Sequence, residues 1–259
     1  MWLRQPACKT QGRIIVAVAN GCGIVQGLFM SRTIKIYRWI VFLLAAFYCL
    51  RMIVLDDWNG FGGPFRYLSV WALFLSFFCA SRMMAYRSTR RWEALVGATS
   101  VVNAMVVLLY WRLYLADPAS VTRDGELSVP YLELYLHALG PLLQWIDALF
   151  IHRVFRRVGP TLASLLGIVI GYFLWAELAV APLNGSPMGA VTSGLPYPFL
   201  NDLTFDQRMS FYVTNVAVAI ILLGLFASAA WAVRHRLGPA RIAVRFDSPE
   251  TSALPPDHL

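Results

Sequence analysis

The sequence predicts an all-α polytopic integral membrane protein, with six transmembrane helices in one bundle. Hydrophobic residues make up 58% of the 259 residues and charged residues only 14%. The apolar residues recur in runs of about twenty, the length that crosses the hydrocarbon core of a bilayer. Basic residues gather in alternate connections between those runs, the bias that sets orientation in a membrane. The net charge of +8 therefore reads as a cytoplasmic-leaflet bias, and nucleic acid is not an expected partner.

The expected spans are residues 36–55, 67–86, 92–115, 131–155, 161–181 and 211–233. Helices are required because a backbone in lipid must satisfy its own hydrogen bonds. Arg32, Lys35 and Arg38 cluster at the start of the first span, Arg82, Arg87, Arg90 and Arg91 at the end of the second, and Arg153, Arg156 and Arg157 at the end of the fourth. Arg234, Arg236, Arg241 and Arg245 follow the last. The other loops mix Arg66, Arg123 and Arg208 with seven aspartates and glutamates. This alternation places both termini in the cytoplasm.

Residues 1–33 read as a dispensable extension, with Met1 or Met30 as the start. Ile14–Phe29 is apolar, but Asn20, Gly21, Gly23, Gln26 and Gly27 weaken it as a helix. Residues 34–235 form the membrane domain. The tail, 236–259, is polar and proline-rich and is expected to be disordered. Cys8, Cys22, Cys49 and Cys79 show no metal-ligand spacing, so neither a disulfide nor a metal is expected.

The fourth span carries Glu133, His137, Gln144 and Asp147 before Arg153. An ionisable group at the centre of a membrane helix costs about 2.5–3.5 kcal/mol on insertion scales, so such groups face a bundle interior and mark function. His137 lies roughly 9 Å along this span from its outer start, and Glu177 about 7 Å from the outer end of the fifth. Ser69 sits at the mouth of the second span, after Gly62-Gly63-Pro64. Glu133 precedes His137 by one turn on the same face. A hydroxyl, an imidazole and a carboxylate at one depth are the ingredients of nucleophilic acyl transfer.

Plainer readings exist for each. Ser69 could be a cap or a packing residue, and His137 a cross-helix hydrogen bond. Glu177 could pair with Arg112. Asp147, with Asn103 and Asn215 or with Arg82, reads as a polar contact that locks the bundle.

Three stretches together resemble the androgen-induced-gene-one-like proteins, multi-span hydrolases of fatty acid esters of hydroxy fatty acids. They are Gly62-Gly63-Pro64-Phe65-Arg66-Tyr67-Leu68-Ser69-Val70-Trp71, then Leu136-His137-Ala138-Leu139-Gly140-Pro141, then Gly171-Tyr172-Phe173-Leu174-Trp175 with Gly194-Leu195-Pro196-Tyr197-Pro198-Phe199-Leu200. The resemblance runs from about residue 34 to 233 and implies a distant, bacterial branch placed in the inner membrane.

It implies Ser69 as nucleophile, at the position of the family's threonine, and His137 as general base. Glu133 and Glu177 would support them, and Tyr67, Tyr197 or backbone N–H groups would stabilise the oxyanion. The substrate implied is a lipid or fatty acyl ester, with no cofactor. Three departures stand out: serine replaces threonine, only His152 remains of a histidine pair, and Pro182–Pro196 reads as an insertion. The competing functions are a non-catalytic lipid binder or scaffold and, third, a proton-coupled transporter.

Overall fold

The computed structural model describes residues 32–56, 58–84, 92–118, 129–184 and 194–237. Most of the N-terminal extension, nearly all of the C-terminal tail and much of the expected insertion lie outside them. Among the described residues every regular element is helical. The long helices are α1 (Arg32–Leu55), α2 (Leu68–Met84), α3 (Glu93–Ala116), α4 (Pro130–Ile151), α5 (Val158–Leu183) and, after the short α6 (Pro198–Asn201), α7 (Phe205–Leu237).

Five of these, α1, α3, α4, α5 and α7, are long and apolar enough to cross a membrane, as an integral membrane protein requires. The expectation of six is met in five. Among the described residues the second span, expected over 67–86, is helical over the 17 residues of α2, about 26 Å against a core of about 30 Å; residues 85–86 lie outside the described residues. It starts late because Tyr67 is extended, at φ −98 and ψ 134. The last helix starts six residues before the expected 211. There Thr204 and Gln207 form a reciprocal cap, Gln207 N–H to Thr204 Oγ1 and Thr204 N–H to Gln207 Oε1, which fixes a helix start.

Helix α3 is the central element, buried from Val96 through Val106. Lipid offers no hydrophobic drive for helix association, so small residues that permit close approach matter most. Gly97 shows this: a Cβ there would lie 2.9 Å from Thr161 Cγ2 and 3.2 Å from the Phe155 ring. Gln144 and Trp145 tie α4 to α3 by donating to the carbonyls of Val96 and Ser100. The chain leaving α4 closes one end of the bundle, with Arg153 and Phe155 both left-handed (φ 57 and 68) and Val154 and Phe155 fully buried.

The polar groups of the spans find partners that differ from those expected. Asp147 receives two hydrogen bonds from Arg38, Nε at 2.8 Å and Nη2 at 2.9 Å, while Arg38 Nη1 donates to the Met83 carbonyl at 2.8 Å. Asn103 instead donates to Ser76, Asn215 to its own helix at Phe211, and Arg82 lies over the Phe78 and Trp92 rings. Glu177 pairs with Arg208 at 2.8 and 3.1 Å and accepts from the Tyr212 hydroxyl at 2.7 Å, rather than with Arg112. A bidentate arginine holds a carboxylate better than an amide can, because its fork of N–H donors matches both oxygens.

Three π-turns interrupt the helices: Tyr135–Leu139, Asp147–Ile151 and Ala176–Val180. Each contains one ionisable residue of the membrane interior, His137, Asp147 or Glu177. Two have a plain cause in sequence. Gly140 N–H reaches back to Tyr135 O and Ala181 N–H to Ala176 O, and the next residue in each case is a proline. Pro141 and Pro182 have no N–H to continue the α ladder, so the wider turn closes just before them.

Candidate active site

Ser69 is the second residue of α2, and a turn rich in glycine brings it there. Gly60, Gly62 and Gly63 all adopt positive φ (88, 87 and 46). Gly63 is doubly required, because a Cβ would sit 2.6 Å from the Trp58 ring. Aromatic donors from α5 and α2 grip the turn. Tyr172 Oη donates to Arg66 O at 2.8 Å, and Trp71 and Trp175 both donate to Phe65 O at 2.9 and 3.0 Å. Asn184 closes it from the end of α5, accepting from Phe61 N–H and donating to Phe61 O.

Tyr197 caps the start of α2 by accepting from Leu68 N–H at 3.2 Å. Burial pushes the Tyr197 phenol up to about 12, so it stays protonated, and accepting from Leu68 leaves its proton for another acceptor. The Ser69 N–H and hydroxyl have no hydrogen-bond partner among the described residues. The amide is one of the orphan donors of a helix first turn.

His137 is 6% exposed and is fixed from four sides. Glu133 Oε2 lies 3.2 Å from its Nε2. The Tyr110 ring stacks flat on the imidazole, centroids 3.6 Å apart and planes at 4°. Trp111 Nε1 donates to the His137 carbonyl at 2.9 Å, the acceptor that Pro141 leaves without an α-helical donor. The widened π-turn supplies the fourth constraint. His137 Nδ1 and the Tyr110 hydroxyl are buried without a hydrogen-bond partner among the described residues.

Ser69, His137, Glu133, Tyr67 and Tyr197 line one cavity of about 460 Å³. Its walls come from α1, α2, α3, α4, α5 and α7, and are mostly apolar, with Met105, Val106, Leu109 and Phe173 among them. Glu177 does not line it; Glu177 stands behind Tyr212, which does. His152 lies at the far end of α4 against Met83, away from this cavity. Tyr110 and Tyr212 are lining residues that sequence reasoning did not single out, and Asn215, expected beside Asp147, lines this cavity instead. Their signal was present only as aromatic and polar residues on α3 and α7 at depths close to His137. Among the described residues no group of three or more His, Cys, Asp or Glu side chains is placed to hold a metal ion.

The three sequence stretches thus meet physically. The 62–71 turn carries Ser69, the 171–175 stretch grips that turn, the 194–200 stretch caps its helix, and the 136–141 stretch shapes the histidine turn. Neither a curated protein nor a solved structure matches the chain. The family model for FAR-17a/AIG1-like proteins matches residues 33–229, and the chain belongs to the FAR-17a/AIG1-like family.

Proposed function

We propose that the protein is an intramembrane hydrolase of lipid esters, with Ser69 as nucleophile and His137 as general base. The observation that carries the reading is an apolar cavity lined by both Ser69 and His137, where among the described residues the serine has no hydrogen-bond partner and the buried Nδ1 of the histidine has none. An acyl chain suits the apolar walls, with its ester at the polar mouth.

The chemistry follows from the two ring nitrogens. Glu133 accepts the proton on Nε2, which leaves the lone pair on Nδ1 to act as the base. Ser69 Oγ attacks the ester carbonyl carbon as Nδ1 takes its proton. The oxyanion is stabilised by the Ser69 N–H and the Tyr197 hydroxyl, with Tyr67 beside them. Collapse expels the alcohol, which takes the proton from Nδ1 and leaves an acyl-serine. Water then attacks the acyl carbonyl, Nδ1 again carries the proton, and the acid and free Ser69 are released.

Labelling with a fluorophosphonate probe tests this, comparing wild type with Ser69→Ala and His137→Ala. Labelling of the wild type alone supports a hydroxyl activated by the histidine. A folded wild type that does not label, or a Ser69→Ala protein that labels equally, removes the hydrolase reading and favours a lipid binder.

A further inference from the structure

The deep end of the same cavity holds a polar residue that neither the catalytic chemistry nor the packing uses. Asn215 is 5% exposed and lies about ten residues along α7 from Phe205, roughly 15 Å into the helix. It is a lining residue of the cavity, together with Met105, Val106 and Phe173. Ser69 is at the other extreme, in the first turn of α2. Asn215 Nδ2 donates to the Phe211 carbonyl at 2.8 Å, which fixes the orientation of the amide, since only nitrogen can serve a carbonyl acceptor. Oδ1 has no hydrogen-bond partner among the described residues.

An amide oxygen in an apolar setting is unfavourable unless a donor reaches it. No lining side chain among the described residues donates to Oδ1, so a donor must come from what fills the space. A plain alkyl chain would leave the oxygen unsatisfied. A chain ending in a hydroxyl would satisfy it, and the free Nδ2 hydrogen could donate back to the same hydroxyl oxygen.

We propose that Asn215 is the floor of a subsite that selects lipid chains bearing a hydroxyl at their buried end. This rests on the proposed function only in that the cavity takes a lipid chain; it does not depend on Ser69 chemistry. A cavity built to hydrogen-bond a ligand hydroxyl discriminates against the analogue lacking it. One neutral hydrogen bond in place of an orphan acceptor corresponds to a preference of about five- to tenfold in affinity.

The test measures thermal stabilisation of the purified full-length protein by medium-chain ω-hydroxy fatty acids and by unsubstituted fatty acids of the same lengths, since a ligand bound to the folded state raises its melting temperature. In the wild type the hydroxylated acid should bind about five- to tenfold more tightly at its best length. In Asn215→Leu the advantage should vanish while the unsubstituted acid binds as well or better. Should Asn215→Leu fail to fold, Asn215→Ala serves the same comparison. Equal binding of the two acids by wild type, binding of neither, or a preference that survives in the variant overturns the proposal. Because no ester is cleaved, a failed labelling experiment and a failed binding experiment remain distinguishable.

Discussion

Breaking the Arg38–Asp147 pair should be among the most damaging single changes to stability. Arg38 is 4% exposed and Asp147 8%, and the two share hydrogen bonds at 2.8 and 2.9 Å. In Asp147→Leu the guanidinium keeps the Met83 carbonyl but loses its counter-charge in a site without bulk water. Removing one partner of a buried ion pair costs about 3–5 kcal/mol, because the other charge is left uncompensated, whereas replacing both with apolar residues is often neutral. Reversible unfolding in mixed micelles, followed by helical circular dichroism, measures this directly. Asp147→Leu and Arg38→Met should each fall in that range. The double variant Arg38→Met/Asp147→Leu should recover more than half of the loss. A single-variant cost below about 1 kcal/mol, or a double variant no better than the worse single one, would refute the view that an uncompensated charge is the source of the loss.

Glu133→Gln keeps the shape of the histidine's neighbour but removes its charge. On the proposed mechanism, kcat for ester hydrolysis should fall about ten- to a hundredfold, with KM little changed. Nitrogen NMR of the wild-type His137 should show its proton on Nε2, and a proton found on Nδ1 would defeat the assignment of the base. Gly140→Ala should destabilise by about 1–3 kcal/mol. Its Cβ would meet Tyr135 O at 2.9 Å and the Tyr135 ring at 3.3 Å, and that ring is pinned by stacking on Tyr48 at 3.7 Å. An unchanged unfolding midpoint would show that the turn can relax around the extra methyl.

The helical class was legible because bilayer thickness and hydrophobic run length are linked by a single rise per residue, and five helices follow from it. Helix ends were less legible. Thr204 and Gln207 form a capping box upstream of the apolar run, which begins only at Phe211, so hydrophobicity carries no sign of it. Polar partners were the least legible part. Arg38 and Arg208 were counted as loop charges that orient the chain, although each side chain turns inward onto a carboxylate. A count of basic residues does not distinguish an arginine that meets lipid headgroups from one that reaches back into a bundle. The site was legible as far as depth can reach: Ser69 and His137 were assigned to one level, and both line one cavity. Depth carries no information on helix facing, which is why Glu177 was grouped with them and Tyr110 and Asn215 were not. The π-turns were written in Gly140-Pro141 and Ala181-Pro182, a signal of missing backbone donors rather than of hydrophobicity.

The π-turn at Tyr135–Leu139 also sets the angular phase of everything beyond it on α4. A π-turn accommodates one residue more than the α-helix does, and one residue corresponds to about 100° of rotation. Were residues 135–139 to close as regular α-helix with every residue retained, the lower half of α4 would swing by about that angle. Gln144 would then leave the Val96 carbonyl and Asp147 would turn away from Arg38, although neither residue had been touched. The insertion that shapes the histidine turn is therefore also the gear that aligns the ion pair two turns further down. A change at one end of α4 is transmitted to the other as rotation, without any side chain in between having to relay it.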